Sequence, residues 1–430
     1  MKKNIKFLSL ILCILLLIPA VTSCAGKTET LIEYEGKTLS KNEYEFLLSR
    51  MKGTLAYYGY EVDKPSFWKT VVSLEGGTTY DDYFRATILQ EAKHYVIAEK
   101  MFDDEGLRLT QDDEKKIDDL IDAYVKKAGS ETKLNEELMQ YGVNCDILRD
   151  VYVREAKIEL LKTHLYGKDG EKIEKSEKDK YFNENYVAFK QIFLATYEYL
   201  IDTDRFGDTV YYTNNKHEAI AYDKINGKTK VDEFGKEVKD ILGNPEYYTA
   251  DGKIAYDKEK GVIGYATDKN GDKIITELSD EKKAKIYDNA KKYATECEGN
   301  FATFEEYIKK YDESEGSALI YLYSSDGYYA AQNDAVAYFD DMAELLSTLK
   351  AGECAVFKSD YGYHVICRYE NADGAYDDKD NKDMFSDFYD SLISRLFDEK
   401  CAEYEKKVTV YDEVLKAAPS MQDVGSNTLY

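Results

Sequence analysis

Leu349-Lys350-Ala351-Gly352-Glu353-Cys354-Ala355-Val356-Phe357, followed by Ser359-Asp360-Tyr361-Gly362-Tyr363-His364-Val365-Ile366, is the stretch on which the fold turns. Gly352 stops the helix expected from Val336 to Leu349, and two runs rich in β-branched and aromatic residues follow at Cys354–Phe357 and Tyr363–Arg368. Tight spacing between them makes a hairpin, with the lone histidine of the region, His364, on its second strand.

Working outward on the N-terminal side, a strand is expected at Ala318–Tyr323 and helices at Asp280–Cys297 and Phe304–Tyr311. Further back, Tyr186 to Ala195 is a second β-type run. The order β, helices, β, helix, β, β describes a small α+β sheet domain. Residues 197–277, rich in Tyr, Asp, Asn, Lys and Gly with turns at Asn226-Gly227 and Asp251-Gly252, are expected to be a large insertion within it. Their role is not readable. Asp268-Lys269-Asn270-Gly271-Asp272 imitates the start of a calcium loop, but Lys273 and Ser279 stand where glycine and glutamate are required, so a β-turn is expected.

Residues 40–166 are helical in pattern. Ser40 with Glu43 forms a capping box before Tyr44, Leu47, Leu48 and Met51, and a long amphipathic helix is expected from Tyr80 to Asp104. Thr110 and Asn144 cap two more, with Gly142 between. A last helix is expected over Met384–Lys406, then a strand at Lys407–Tyr411 and a disordered tail from Ala417.

The N-terminus has the order of a secretion signal: Lys2, Lys3 and Lys6, the apolar run Phe7–Ile18, then small residues up to Cys24. That run falls short of the roughly 20 residues a spanning helix needs. Removing residues 1–23 takes away three lysines and no acids, which moves the formal charge from −25 to −28. So acidic a chain excludes nucleic acid as a partner class. Cys145, Cys297, Cys354, Cys367 and Cys401 show neither a disulfide framework nor zinc spacing, and no metal is expected. Free buried thiols are the expectation, with a Cys354–Cys367 bridge left open because the two lie in neighbouring strands. His94, His164 and His217 are dispersed.

Taken together these residues resemble the PrsA-type foldase lipoproteins, related to the periplasmic chaperone SurA, that carry a parvulin-like (PpiC) peptidyl-prolyl isomerase domain. The quoted hairpin is similar to the parvulin ending. Asn300-Phe301-Ala302-Thr303-Phe304 to Asp312-Glu313-Ser314, and Tyr141-Gly142-Val143-Asn144, also match the family pattern. Val21-Thr22-Ser23-Cys24 resembles a lipobox, which implies lipidation at Cys24.

The resemblance implies an α+β chain. Its expected parts are a signal peptide at 1–23, a SurA-like helical chaperone domain at 24–183, a parvulin-like domain at 184–372, a C-terminal helix and strand at 373–416 completing the chaperone domain, and the tail at 417–430. It implies a site of His364, Ser314, Gln191 and Ser359, with Tyr338, Met342 and Phe357 lining the proline pocket, and no cofactor. Tyr338 and Met342 at helical spacing would equally suit an ordinary core. Gln191 stands where active parvulins have a histidine, and Glu315-Gly316-Ser317-Ala318 replaces their Gly-Gly. The implied role is a lipid-anchored foldase on the extracytoplasmic face of the bacterial membrane that isomerises prolyl bonds of unfolded secreted polypeptides. The alternative is a non-catalytic holdase of the same architecture.

Overall fold

The computed structural model describes residues 27–73, 76–214, 219–314, 327–331 and 340–430. The signal segment, Cys24, Tyr338 and the strand expected at Ala318–Tyr323 lie outside these residues. The fold is mixed α+β with several small antiparallel sheets, and the chain divides into two compact units, Met1–Lys178 with Phe385–Tyr430, and Asp179–Met384.

In the first unit, β1 (Thr30–Tyr34) and β2 (Lys37–Ser40) form a hairpin that leads directly into α1 (Lys41–Tyr57). Glu43 closes the capping box by accepting from the Ser40 N–H at 2.8 Å. Three long helices follow: α2 (Tyr80–Asp104), α3 (Gln111–Ala128) and α4 (Cys145–Tyr166). Thr79, Thr110 and Asn144 each accept a backbone N–H at their N-termini. Leu31, Leu39 and Leu48 pack with Val96, Ile97 and Leu161 in one core, which is why α2 and α4 lie against the hairpin.

The second unit is built on a four-stranded antiparallel sheet. β3 (Tyr186–Ala195) is followed, after residues 196–279, by α5 (Asp280–Cys297), α6 (Phe301–Tyr311), β4 (Tyr328–Ala331), α7 (Asp340–Thr348), β5 (Cys354–Lys358) and β6 (Gly362–Arg368). The strand order is β4-β3-β6-β5. Alternation sorts the side chains by face. Ile192, Leu194, Val365 and Cys367 pack under α5 and α6 with Cys297 and Phe304. Val187, Phe189 and Ile366 pack with Met342 and Leu346 of α7. Gln191 and His364 share the parity of this second face.

Residues 197–277 leave and return as one antiparallel pair, Tyr197–Tyr199 against Ile275–Glu277. Between them the chain repeats one turn. Asp204–Asp208, Asp232–Lys236, Asp240–Asn244, Thr249–Lys253 and Asp268–Asp272 each close through a bond from the fourth residue's N–H to the first residue's carbonyl, with glycine at positive φ in fourth place. In the four that begin with aspartate, its Oδ1 accepts the N–H groups two and four residues on. Neighbouring segments bond in closed rings of three: Val210 donates to Asp202, Asp202 to Gly264, and Gly264 to Val210. Gly264 is required there, since a Cβ would lie 2.3 Å from the Tyr212 ring.

After β6, residues 373–384 were expected to travel with the C-terminal segment; they belong to the second unit instead. Tyr376 explains this, packing edge-on to Phe182 and donating its hydroxyl to Asp179 at 2.7 Å. The chain then forms α8 (Phe388–Ala402) and β7 (Thr409–Val410), which pairs with β1. The expected disordered tail is a further correction. Met421 is fully buried, the Lys52 ammonium donates to the carbonyls of Gln422 at 2.8 Å and Val424 at 2.9 Å, and the Asn427 N–H donates to Ser49. Its apolar residues are spaced to plug the groove beside α1, a tertiary contact that local composition does not reveal.

Candidate functional site

The β5–β6 turn places the site. The Ser359 N–H donates to the Gly362 carbonyl at 2.9 Å, closing Ser359-Asp360-Tyr361-Gly362. Gly362 has no substitute, because a Cβ would sit 2.2 Å from the Leu194 carbonyl oxygen on β3. This close approach brings Ser359, His364 and Gln191 together from a turn and two adjacent strands.

His364 is 3% exposed, with Nε2 2.9 Å from the Ser359 hydroxyl and Nδ1 3.0 Å from Gln191 Oε1. An amide oxygen only accepts, so Nδ1 carries the ring proton and Nε2 accepts from Ser359. Burial lowers the imidazole pKa to about 4, and the ring is neutral at pH 7. Phe193 and Phe357 flank it, with ring centroids 4.9 and 5.8 Å away. Gln191 Nε2 is buried without an acceptor among the described residues.

The other expected residues fall differently. Ser314, after α6, gives both its N–H and its hydroxyl to Asp312 Oδ2. Asp312 Oδ1 in turn accepts the Phe193 N–H at 2.7 Å, and the Glu313 N–H donates to the Phe193 carbonyl. Ser314 therefore belongs to a clamp on the backbone of β3. Met342 is buried among Val187, Phe189 and Ile366, as a core residue. Phe357 lies beside the histidine, paired with it across the hairpin.

Two features escaped the sequence reading. Phe193 packs on His364, and its place two residues beyond Gln191 on the same face was the available signal. The Asp-x-x-Gly spacing at 204/207, 232/235, 240/243 and 268/271 announces the repeated turn. Cys354 and Cys367, register partners on β5 and β6, form the disulfide that the sequence had left open, while Cys145, Cys297 and Cys401 are free and buried.

The second unit is thus an antiparallel sheet with a buried, neutral histidine held between a hydroxyl and an amide. No family model matches the chain, and no curated protein matches it. Solved structures similar over most of its length include PrsA from Bacillus subtilis, at 16% identity over 82% of this chain and 94% of that one with a TM-score of 0.19. Foldase protein PrsA from Streptococcus pneumoniae is 10% identical over 90% and 98%, TM-score 0.23. The foldase protein PrsA of Lactococcus lactis is 10% identical over 91% and 98%, TM-score 0.20. With so little superposable, the functional argument rests on the site.

Proposed function

We propose that this chain is a lipid-anchored extracytoplasmic foldase whose second unit is a peptidyl-prolyl cis-trans isomerase of parvulin type. The single observation that carries the reading is the neutral His364 fixed between Ser359 and Gln191 and flanked by Phe193 and Phe357. Rotating a prolyl amide forms no covalent bond to the enzyme. Its barrier of about 18–20 kcal/mol is lost amide resonance, so a catalyst needs apolar contact for the ring and fixed dipoles that favour the twisted amide. The arrangement supports this division of labour: the phenylalanines offer the apolar walls, and His364 orients the Gln191 amide as a fixed dipole beside them.

Cys24, by its lipobox-like setting, would hold the protein at the membrane where unfolded secreted chains emerge, raising its effective concentration there. Replacing Cys24 with Ala in the full chain should release the protein from the membrane fraction.

A holdase is the second reading, and Gln191 is what favours it, since an amide closes the network without supplying a second imidazole. A protease-coupled assay on an X-Pro peptide separates the two. Acceleration lost in His364→Ala supports the isomerase; no rate above background with intact suppression of client aggregation leaves the holdase.

A further inference from the structure

Within the first unit, α2, α4 and α8 enclose a cavity of about 680 Å³ that the isomerase reading does not use. Its floor is apolar, formed by the buried Tyr95, Ile158 and Phe397, a size and character suited to one or two large side chains. Its walls are acidic: Glu91, Glu155, Glu159, Asp398, Glu399 and Glu405 all line it, against Lys162 and His94.

The available cations are shared thinly among these acids. Glu155 is held by Arg50, Glu159 by Lys162 at 3.0 Å and Glu399 by Arg395 at 3.6 Å. Asp398 and Glu405 divide the single His94 ring, at 3.0 Å from Nδ1 and 2.9 Å from Nε2. Glu91 has no ion pair among the described residues. Burial first, and then neighbouring Glu155, push its carboxyl above the usual range, while the Tyr95 hydroxyl partly offsets this. A cation delivered to this wall would find one desolvated carboxylate without an ion pair among the described residues, Glu91, beside the exposed acids Glu159, Asp398 and Glu399.

We propose that this cavity is a docking site for cationic, apolar polypeptide segments, seating a large apolar side chain on the floor and a neighbouring Lys or Arg against Glu91 and Glu159. Charge complementarity selects this occupant: the chain as a whole is acidic, and an acidic segment would be repelled from the same walls. The site is separate from the His364 network and needs no turnover there.

The probe is a short unstructured fluorescein-labelled peptide carrying alternating Phe and Arg with Gly-Ser spacers, titrated with the full mature chain by fluorescence anisotropy. Two controls replace Arg with Glu or Phe with Ser. Binding of the Phe/Arg peptide alone, falling steeply as salt is raised and weakened about tenfold in E91Q/E159Q, is the expected result. His364→Ala should bind the peptide unchanged, which keeps this test distinct from that of isomerase activity. Equal binding of the Phe/Glu or Ser/Arg control, or unchanged affinity in E91Q/E159Q with its helical circular dichroism intact, would overturn the proposal. The salt series on the unaltered chain reads the charge contribution even if the double variant misfolds.

Discussion

His364 Nδ1 and Gln191 Oε1 lie 3.0 Å apart across two adjacent strands, and that bond fixes which nitrogen of the imidazole carries its proton. Because the register pairs Ile366 with Gln191 and His364 with Phe193, the contact is a diagonal one along the sheet face. Two consequences follow, one for pH and one for the hydroxyl on the ring's other side.

Burial depresses the His364 pKa from 6.5 to about 4. A histidine depressed in the folded state binds its proton first in the unfolded chain, so its contribution is fully present above pH 6.5. It is lost as the pH falls from 6.5 towards about 4. The difference corresponds to about 3 kcal/mol. Urea unfolding at pH 7 and pH 4.5, compared between the natural chain and His364→Gln, should show the pH-dependent gap shrink in the variant. Isomerase rates should stay flat between pH 6 and 8, where the ring is neutral throughout.

Ser359→Ala removes the buried hydroxyl that donates to His364 Nε2, and losing a buried hydrogen bond costs about 1 kcal/mol. A lower urea midpoint with an unchanged m-value is expected, together with a reduced rate on the X-Pro peptide. Ser314→Ala, whose bonds among the described residues go to Asp312, should lower stability slightly and leave the rate per folded molecule unchanged.

How much of this was legible follows from where each interaction lies along the chain. The β5–β6 hairpin, α2 and the caps at Ser40, Thr110 and Asn144 are local, written in spacing and turn chemistry over a few residues, and the sequence shows them. Gln191 and His364 could be named from the pattern of a resembling family, and their pairing then depended on strand register. Ser314 shows the limit: its place in the motif pointed to the site, while Asp312 drew it into the clamp on Phe193. The seating of the tail at Met421 is a contact with α1 more than 350 residues away in sequence, and no local period encodes it.

The Cys354–Cys367 bridge spans 13 residues and ties the two strands that carry Phe357 and His364. Loop-closure entropy for a loop of about this length is worth about 3 kcal/mol. Reduction with dithiothreitol should lower the melting temperature of the natural chain and leave Cys354→Ala/Cys367→Ala unaffected. The helical first unit is expected to keep its far-ultraviolet circular dichroism in both.

Asp240 serves its turn twice over: Oδ1 accepts the N–H groups of Leu242 and Asn244, and Oδ2 accepts from the Tyr222 hydroxyl at 3.2 Å. Asp240→Ala removes these three and the Asn244 Nδ2 bond to Oδ2 at once, and takes from Tyr222 the acceptor of its hydroxyl, a local cost of about 1–3 kcal/mol. Faster amide hydrogen exchange confined to residues near 222 and 240–246, with the His364 network unmoved, is the expected pattern.

Gly53, inside α1, offers the sharpest test of the seated tail. In an exposed helix, Gly→Ala stabilises by about 1 kcal/mol, because alanine loses less conformational freedom on folding. Here a Cβ would fall 1.8 Å from the Asn427 carbonyl oxygen, and backbone cannot yield as a flexible side chain does. The helix gain is then outweighed by displacement of the tail, which also takes the Val424 carbonyl from the buried Lys52 ammonium and uncovers Met421. Gly53→Ala should lower the melting temperature and open the 417–430 segment to limited proteolysis. Truncation after Lys416 should abolish the difference between the two residues at position 53, or reverse it in favour of alanine. A stabilising Gly53→Ala in the full chain would mean that the tail does not occupy this groove.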